Sequence, residues 1–464
     1  MNEGGPSEPV SATPGGLADP LPLACAIGLP PRSLVIRLPG SKSLTNRAVL
    51  LAALAHGTSE VRAPLDGAED SEVMLAAVQT LGATVERRPG SLRISGVGGR
   101  WRVPPGGAVV DCRNAGTAAR FVAGAALLAD GPVTIDGSPR MRQRPIGELT
   151  TALAALGASV EFLGQPACPP VRITPPPPGT SRPESLTLAT TQSSQFISAL
   201  LLAAPWLGGL TLRLTGEVTS AAYVTMTLGL LARLGATVRT SDDTRVIRVY
   251  AEGNALAPFS YEVEPDASGA TYWWGAGALL PGWSIGVPGL DESSLQGDAR
   301  FPEVLARMGC RVERADGVVR VLGSERLEPV LADLSEMPDA AMTLGAVACF
   351  ARGTSILRGL RTLRVKESDR VEAMCREFSK LGVRVETAVH GDSDALTITP
   401  PPTMDGSRVE FDTYDDHRMA MSLALVALRR PGVWVRNPGC VAKTYPGFWN
   451  EFARLTTGPR GGAT

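Results

Sequence analysis

Lysine is almost missing from this 464-residue chain: of its 45 basic residues only Lys42, Lys366, Lys380 and Lys443 carry an ammonium group. Guanidinium serves wherever a generic positive charge suffices. Each remaining ammonium, a compact charge able to donate or accept a proton, is therefore a candidate for specific chemistry. Metal-binding patterns are missing as well. The seven cysteines (Cys25, Cys112, Cys168, Cys310, Cys349, Cys375, Cys440) form no CxxC pair and no His/Cys cluster of ligand spacing. That leaves no metal site to expect and suggests reduced thiols in a cytoplasmic protein. No run of 18 apolar residues occurs, so no segment is expected to span a membrane. No basic residue precedes Arg32, so the Gly-, Pro-, Ser- and Ala-rich start lacks the opening of a secretory signal and is expected to be a disordered tail over residues 1–30. Neither sign of charge is in excess. A net charge of −1 makes nucleic acid or a membrane surface an unexpected partner, and any basic site must be local.

The length and a hydrophobic content of 44% supply material for two or three domains. Their plan is written in a repeat. A Leu/Met-Gly-x-x-Val pattern places glycines at Gly82, Gly157, Gly235, Gly309 and Gly382, spaced 75, 78, 74 and 73 residues apart. Each follows an amphipathic stretch, such as residues 71–81 or 148–156, and precedes a β-rich one, such as 83–87 or 158–162. This is the signature of a helix stopped by a C-cap glycine and followed by a strand. A second series of helix, glycine and strand interleaves with it at Gly57, Gly131, Gly209, Gly282, Gly353 and Gly432, with the last copy of the first series degenerate near Leu455. Six units of about 75 residues follow, each with two helices and several short strands, and three units per lobe would make two domains.

A polar or glycine-rich segment precedes the first helix of each unit. The six are residues 41–47 (Ser41-Lys42-Ser43-Leu44-Thr45-Asn46-Arg47), 114–120, 192–195 (Gln192-Ser193-Ser194-Gln195), 266–269, 338–342 and 414–418. One such segment is ordinary N-capping. Six in register, several carrying cations, read as helix N-termini gathered around an anionic ligand, where free N–H groups and the positive dipole end favour negative charge. Two basic segments fit the same site. Arg140-Met141-Arg142-Gln143-Arg144 holds three arginines, and Arg364-Val365-Lys366-Glu367-Ser368-Asp369-Arg370 alternates cations with carboxylates. Gly40-Ser41-Lys42-Ser43 lacks the first glycine of a GxxxxGK[ST] loop, so a nucleotide triphosphate is not indicated. Asp339, Glu367, Asp416 and His417, beside Lys42 and Lys366, are the acid/base candidates. Lys380 falls in the last turn of a repeat helix and reads as a solvated, dipole-favourable residue.

With these segments assembled, the chain resembles the 5-enolpyruvylshikimate-3-phosphate synthase family. The resemblance rests on Leu38-Pro39-Gly40-Ser41-Lys42-Ser43-x-x-Asn46-Arg47, Asn114-Ala115-Gly116-Thr117, Arg140-Met141-x-x-Arg144-Pro145-Ile146-Gly147, Ser193-Ser194-Gln195, Pro338-Asp339-Ala340-Ala341-Met342, residues 364–370 and Asp416-His417-Arg418-Met419-Ala420-Met421. It covers residues 34–452 in unbroken order. The fold it implies is a two-domain inside-out α/β barrel of six βαβαββ repeats, three per domain. Residues 41–262 would form the domain with most shikimate 3-phosphate contacts, and 31–40 plus 263–464 the domain completing the phosphoenolpyruvate site. The implied reaction moves the enolpyruvyl group of phosphoenolpyruvate to the 5-hydroxyl of shikimate 3-phosphate and releases phosphate, on the way to chorismate and aromatic amino acids. No cofactor is implied, and a monomer is the expected state.

The resemblance also implies roles. Ser43, Arg47, Ser193, Ser194, Gln195, Ser220, Tyr223, Asp339 and Lys366 would hold shikimate 3-phosphate. Lys42, Gly116, Arg144, Gln195, Arg370, Arg418 and Lys443 would surround phosphoenolpyruvate. Glu367 would protonate the methylene carbon, and Asp339 with Lys42 would manage the proton of the 5-hydroxyl. Thr362, Pro265, Gly269 and Phe121 depart from the family pattern, whereas Gly116 keeps the form expected of a glyphosate-sensitive enzyme. The related UDP-N-acetylglucosamine enolpyruvyl transferases usually carry a cysteine in the loop corresponding to residues 140–144, and none is present here.

Overall fold

The computed structural model of the chain describes residues 11–12, 16–189, 193–216, 218–389 and 391–457. Six units repeat one plan. In each, a first strand runs parallel to a second, a buried helix joins them or enters the second, and an antiparallel edge is added, in the first five units by later strands of the unit. The second unit shows it in full: Ala108–Asp111 pairs parallel with Val133–Asp136, which pairs antiparallel with Val171–Thr174, and that with Ser159–Phe162. Among the described residues five sheets have four strands in this order and one has three, besides a two-stranded ribbon of Ser11–Ala12 with Ala18–Asp19.

The glycine punctuation of the sequence corresponds to real helix stops. Helices Glu69–Thr80, Gly147–Ala155, Ala222–Arg233, Phe301–Arg307 and Arg370–Ser379 each run out just before one of the five glycines of the first series. All five of those glycines have positive φ, between 74° and 102°. A side chain there would strain the left-handed turn that releases the chain into its next strand.

Six further helices, the first of each unit, lie inside and the sheets outside. Gly116–Ala125, Ala267–Leu279, Ala341–Ala348 and His417–Ala424 are buried at every position, Lys42–Leu54 at all but Ser43, and Ser194–Ala203 at all but Gln195. Helices apolar on all sides require burial all round, which explains why the fold turns its sheets outward. Two hydrophobic cores result. One is built from residues between Leu44 and Val263, the other from Ala26, Ile36 and residues between Ala267 and Leu455.

The chain changes core twice, through adjacent segments. Ser33–Val35, which precedes helix Lys42–Leu54, pairs with Ser284–Pro288 of the fourth unit, while Ser260–Glu262, which precedes helix Ala267–Leu279, pairs with Thr58–Arg62 of the first. The crossing strands touch: the Ser41 amide donates to the Glu264 carbonyl at 2.8 Å and the Asp266 amide to the Pro39 carbonyl at 3.0 Å.

The tail departs from expectation. Residues 1–10 and 13–15 lie outside the described residues, but Leu21–Pro22 forms the third strand of the sixth sheet, antiparallel to Val433–Val435. The Leu23 amide continues the ladder to the Val433 carbonyl at 2.9 Å, and Ala26 is buried in the second core. A disordered tail over residues 1–30 therefore does not describe residues 18–30. The physical reason is that the sixth unit ends in helix Phe448–Thr456 without the strands of its siblings, leaving an edge that the chain's start pairs instead.

Candidate active site

The ends of the buried helices deliver their side chains to one narrow cavity between the two cores. Lys42, Ser43, Arg47, Asp70, Gly116, Thr117, Phe121, Arg144, Ser194, Gln195 and Tyr223 line it from the first core, and Asp339, Lys366, Glu367, Arg370 and Arg418 from the second. Four of the six entering helices are capped by the side chain before them. Ser41 accepts from the Leu44 amide, Ser193 from Gln195, Asp266 from Gly269 and Asp416 from Arg418, whereas Ala115 and Ala340 provide no such cap. Gln192 of the third polar segment lies outside the described residues.

Arg370 is the electrostatic hub. Its guanidinium, 1% exposed, donates to Asp416 at 2.8 Å, to Asp339 at 2.9 Å and to Glu367 at 3.1 Å. Asp416 is thereby spent on structure. It caps helix His417–Ala424 and accepts from Ser368 at 3.0 Å as well as from Arg370, which leaves it unsuited to the acid/base role open to it from sequence. His417 is fully buried, and neither ring nitrogen has a hydrogen-bond partner among the described residues. Burial, joined by Lys42 and Arg418, pushes its imidazole well below the usual range and keeps it neutral.

Asp339, in the turn Pro338–Ala340, also pairs with Arg418 at 3.0 Å and accepts from the Tyr223 hydroxyl at 2.8 Å. Burial alone would raise its carboxyl. The charges of Arg418, Lys366, Arg370 and Lys42 outweigh burial and hold it far below the carboxylate range. Glu367 is balanced alike: burial raises it, while Arg370, Lys443, Arg144 and Lys42 hold it well down. Both side chains are therefore anions in this state. Lys366 responds in the opposite direction, its ammonium lowered chiefly by burial despite Asp339 nearby.

On the first-core side, Arg47 is 2% exposed. It donates to Thr227 at 2.8 Å and to the Ser43 carbonyl at 2.9 Å, and stacks 4.9 Å above the Phe121 ring. Phe121 thus has a clear task at a position that departs from the family pattern. Arg144 donates to the Asn114 carbonyl at 3.2 Å, and its Nε has no partner among the described residues. Gln195 donates to Thr117 at 3.3 Å.

Ser193 and Ser220 do not line the main cavity. They lie in an adjoining one with Ser194, Gln195, Arg144, Thr362 and Lys366, where the Ser220 and Thr362 hydroxyls stand 3.3 Å apart across the two cores. Lys443 reaches the site from the turn Pro438–Lys443. It donates to the Asn114 carbonyl at 2.9 Å and pairs with Asp70 at 3.2 Å and with Glu367 at 3.8 Å. Lys42 pairs with the other oxygen of Asp70 at 3.1 Å. Asp70 is the site residue that sequence reasoning passed over. In helix Glu69–Thr80 it looks like one of three first-turn acids that merely suit the dipole, and only its burial at 2% exposure, beside two of the four lysines, marks it out. Lys380, read from sequence as solvated, is instead tied to Glu377 at 2.6 Å and to the Glu410 carbonyl at 3.0 Å, and it does not line the cavity.

The cavity has room of only about 40 Å³. That is space for a water molecule or so. All seven cysteines are free, and no group of three or more potential metal ligands occurs among the described residues. No helix among them is long and apolar enough to cross a membrane.

Comparison with known proteins agrees with this construction. Residues 32–452 match the family model described as EPSP synthase (3-phosphoshikimate 1-carboxyvinyltransferase). The chain is 43% identical over 425 residues to the 3-phosphoshikimate 1-carboxyvinyltransferase of Laribacter hongkongensis, covering 90% of this chain and 96% of that protein. It is 41% identical over 437 residues to the enzyme of that name from Thiobacillus denitrificans, covering 92% and 99%. Among solved structures, EPSP synthase from Acinetobacter baumannii superposes with a TM-score of 0.74 at 25% identity, over 94% of this chain and 97% of that one. The enolpyruvyl transferase NikO from Streptomyces tendae shares the fold with a TM-score of 0.72 at 18% identity, over 93% of this chain and 96% of that one. An unbroken match over nearly the whole chain, on a fold whose helix ends converge on one cation-lined cavity, places this protein in the EPSP synthase family.

Proposed function

We propose that the protein transfers the enolpyruvyl group of phosphoenolpyruvate to the 5-hydroxyl of shikimate 3-phosphate with release of phosphate, a step of the shikimate pathway to chorismate and the class of reaction that glyphosate inhibits. The observation that carries this reading is the company kept in the cavity. Lys42, Arg144, Lys366, Arg370 and Arg418 surround the two carboxylates Asp339 and Glu367, with Lys443 paired to Glu367. Cations alone would suit an anion-binding protein; buried carboxylates among them suit proton transfer.

The addition asks for two proton movements and the elimination for a third. When the 5-hydroxyl oxygen attacks C2 of phosphoenolpyruvate, the hydroxyl loses its proton and the methylene carbon gains one. The tetrahedral intermediate then loses a methyl proton and its phosphate. Asp339 is an anion held by Tyr223, Arg370 and Arg418, and substrate anions that neutralise the cations holding its carboxyl down would give it the basicity to accept the hydroxyl proton. Lys42, beside Asp70, is its partner in this role. Glu367 must first take up a proton to serve as donor to carbon. Substrate phosphates and carboxylate, by neutralising the cations that hold its carboxyl down, would let it do so. Arg144, Arg370, Arg418 and Lys443, near Gly116 and Gln195, support the charge that gathers on the leaving phosphate. Ser43, Arg47, Ser193, Ser194, Gln195, Ser220, Tyr223 and Lys366 are assigned to shikimate 3-phosphate.

In this reading residues 41–262 form one domain and residues 31–40 with 263–464 the other. They open to admit substrates and close to exclude water. The protein acts as a cytoplasmic monomer on two small molecules. A coupled assay tests the function. Phosphate release from phosphoenolpyruvate is expected to require shikimate 3-phosphate and to be indifferent to UDP-N-acetylglucosamine; the reverse dependence overturns it.

A further inference from the structure

Of the three arginines in residues 140–144, only Arg144 lines the main cavity. Arg142 turns away and grips Asp136 with two hydrogen bonds of 2.9 and 2.8 Å on its own side of the molecule. Arg140 does something else. Its Nη2 donates to the backbone carbonyl of Lys366 at 3.1 Å and its Nε to that of Glu367 at 3.2 Å.

The two ends of this contact have different anchors. Arg140 opens the turn Met141–Gln143, which is bolted to the first core: Met141 is fully buried, its amide donates to Ser138 at 3.2 Å, and its sulfur accepts from Arg120 at 3.3 Å. The accepting carbonyls belong to the second core. They lie in the link between the turn Arg361–Val365 and helix Arg370–Ser379, the link that also carries the Lys366 and Glu367 side chains into the cavity. Fixing two successive carbonyls fixes the peptide planes on either side of Glu367, and with them the direction in which both side chains project. A planar fork with divergent N–H groups spans two carbonyls at once, which an ammonium cannot do with the same geometry. The contact crosses from one core to the other, so it forms only as the two come together.

We infer that Arg140 is a positioning residue for enolpyruvyl transfer: from the first core it holds the Lys366-Glu367 backbone so that both side chains are aimed at the substrates only in the closed enzyme. This rests on the functional reading above. The arrangement explains why three arginines crowd one loop, with Arg144 for the ligand, Arg142 for the loop itself and Arg140 for the opposite core.

The test compares full-length Arg140→Met, Arg140→Lys and Arg142→Met with the wild type. Steady-state kinetics, the ligand-free melting temperature and amide hydrogen exchange of residues 361–369, with and without shikimate 3-phosphate plus inorganic phosphate, are measured together. Both Arg140 variants are expected to lose about tenfold to a hundredfold in kcat, the range set by two hydrogen bonds from a charged donor, with KM values little changed. Their melting temperatures should stay at the wild-type value while ligand-induced protection of residues 361–369 is lost, and Arg142→Met should match the wild type throughout. Wild-type kcat in Arg140→Met, full rescue by Arg140→Lys, or a fall in kcat with protection intact overturns the inference. If the wild type itself releases no phosphate, it is the functional reading that fails; wild-type turnover beside an unaffected Arg140→Met removes this inference alone.

Discussion

The ammonium of Lys443 lies 3.2 Å from one carboxylate oxygen of Asp70, whose other oxygen is engaged by a second ammonium, so a single buried anion holds together residues from the two ends of the chain. Burial by itself would lower the Lys443 ammonium, but Asp70 and Glu367 raise it above its ordinary value. A group raised in this way keeps its charge until the pH passes its folded-state pKa, so activity that needs Lys443 charged is protected on the alkaline side. In Asp70→Asn the main raising partner is gone. The alkaline limb of the kcat/KM profile is expected to move to lower pH, and kcat/KM at neutral pH to fall by about tenfold or more, as for a buried charge robbed of its partner. An unmoved alkaline limb would show that Asp70 does not set the charge of Lys443.

Glu367 yields a second test. At rest it is an anion, held so by Arg370, Lys443, Arg144 and Lys42 against the effect of its own burial. Donation to carbon requires a proton that it acquires as substrate anions occupy those cations. Calorimetry in buffers of different ionisation enthalpy, with shikimate 3-phosphate and inorganic phosphate as ligands, is expected to show more proton uptake in the wild type than in Glu367→Gln. Glu367→Gln and Lys42→Met should fold normally and lose roughly two or more orders of magnitude in turnover. Equal proton uptake in wild type and Glu367→Gln would remove the carboxyl as the group that gains the proton.

These residues differ in how plainly they can be read from sequence. Helix stops are local, so the spacing of Gly82, Gly157, Gly235, Gly309 and Gly382 is enough to announce the unit and its count, and each glycine adopts the left-handed turn expected of it. Lys42, Lys366 and Lys443 stand out through the scarcity of their residue type. Non-local pairing leaves no such trace. Ser33–Val35 and Leu21–Pro22 are too short to show periodicity, and each is made a strand by partners far along the chain, Ser284–Pro288 and Val433–Val435. Asp70 belongs to the same class. Its neighbours Glu69 and Glu72 give it the look of a helix-start acid, and its importance arises only where Lys443 meets it.

Gly116 offers a steric prediction. A Cβ at this first residue of helix Gly116–Ala125 would lie 2.7 Å from Cζ of Arg144, with the Arg144 Nη2 closer still, so Gly116→Ala forces the guanidinium back. Arg144 stands on the phosphoenolpyruvate side of the proposed site. The variant is therefore expected to raise KM for phosphoenolpyruvate by about tenfold or more while KM for shikimate 3-phosphate changes little, because a displaced guanidinium weakens ground-state binding of one ligand. A KM for phosphoenolpyruvate equal to that of the wild type would mean that Arg144 does not contact this substrate.

Asp298 separates stability from catalysis. Its carboxyl is buried in the turn Gly297–Arg300; Oδ2 accepts from the Ser268 hydroxyl at 2.6 Å, and Oδ1 has no partner among the described residues. Burial first, and the Asp339 charge second, push it up to about 7, against the pull of Ser268 and Arg418. Between the ordinary carboxylate value of 3.8 and about 7 the folded protein holds a proton that the unfolded chain has released. Folding stability from this group therefore declines as pH rises through that window, the opposite of the trend for Asp339 and Glu367, whose depressed values give stability that is lost on acidification. Asp298→Asn cannot titrate, and its amide oxygen can still accept from Ser268. The melting temperature of this variant relative to the wild type is expected to climb by a few degrees between pH 5 and pH 8, while the contributions of Asp339 and Glu367 cancel in the difference. A pH-independent difference would mean that Asp298 is ionised throughout, with a counter-charge that compensates its burial.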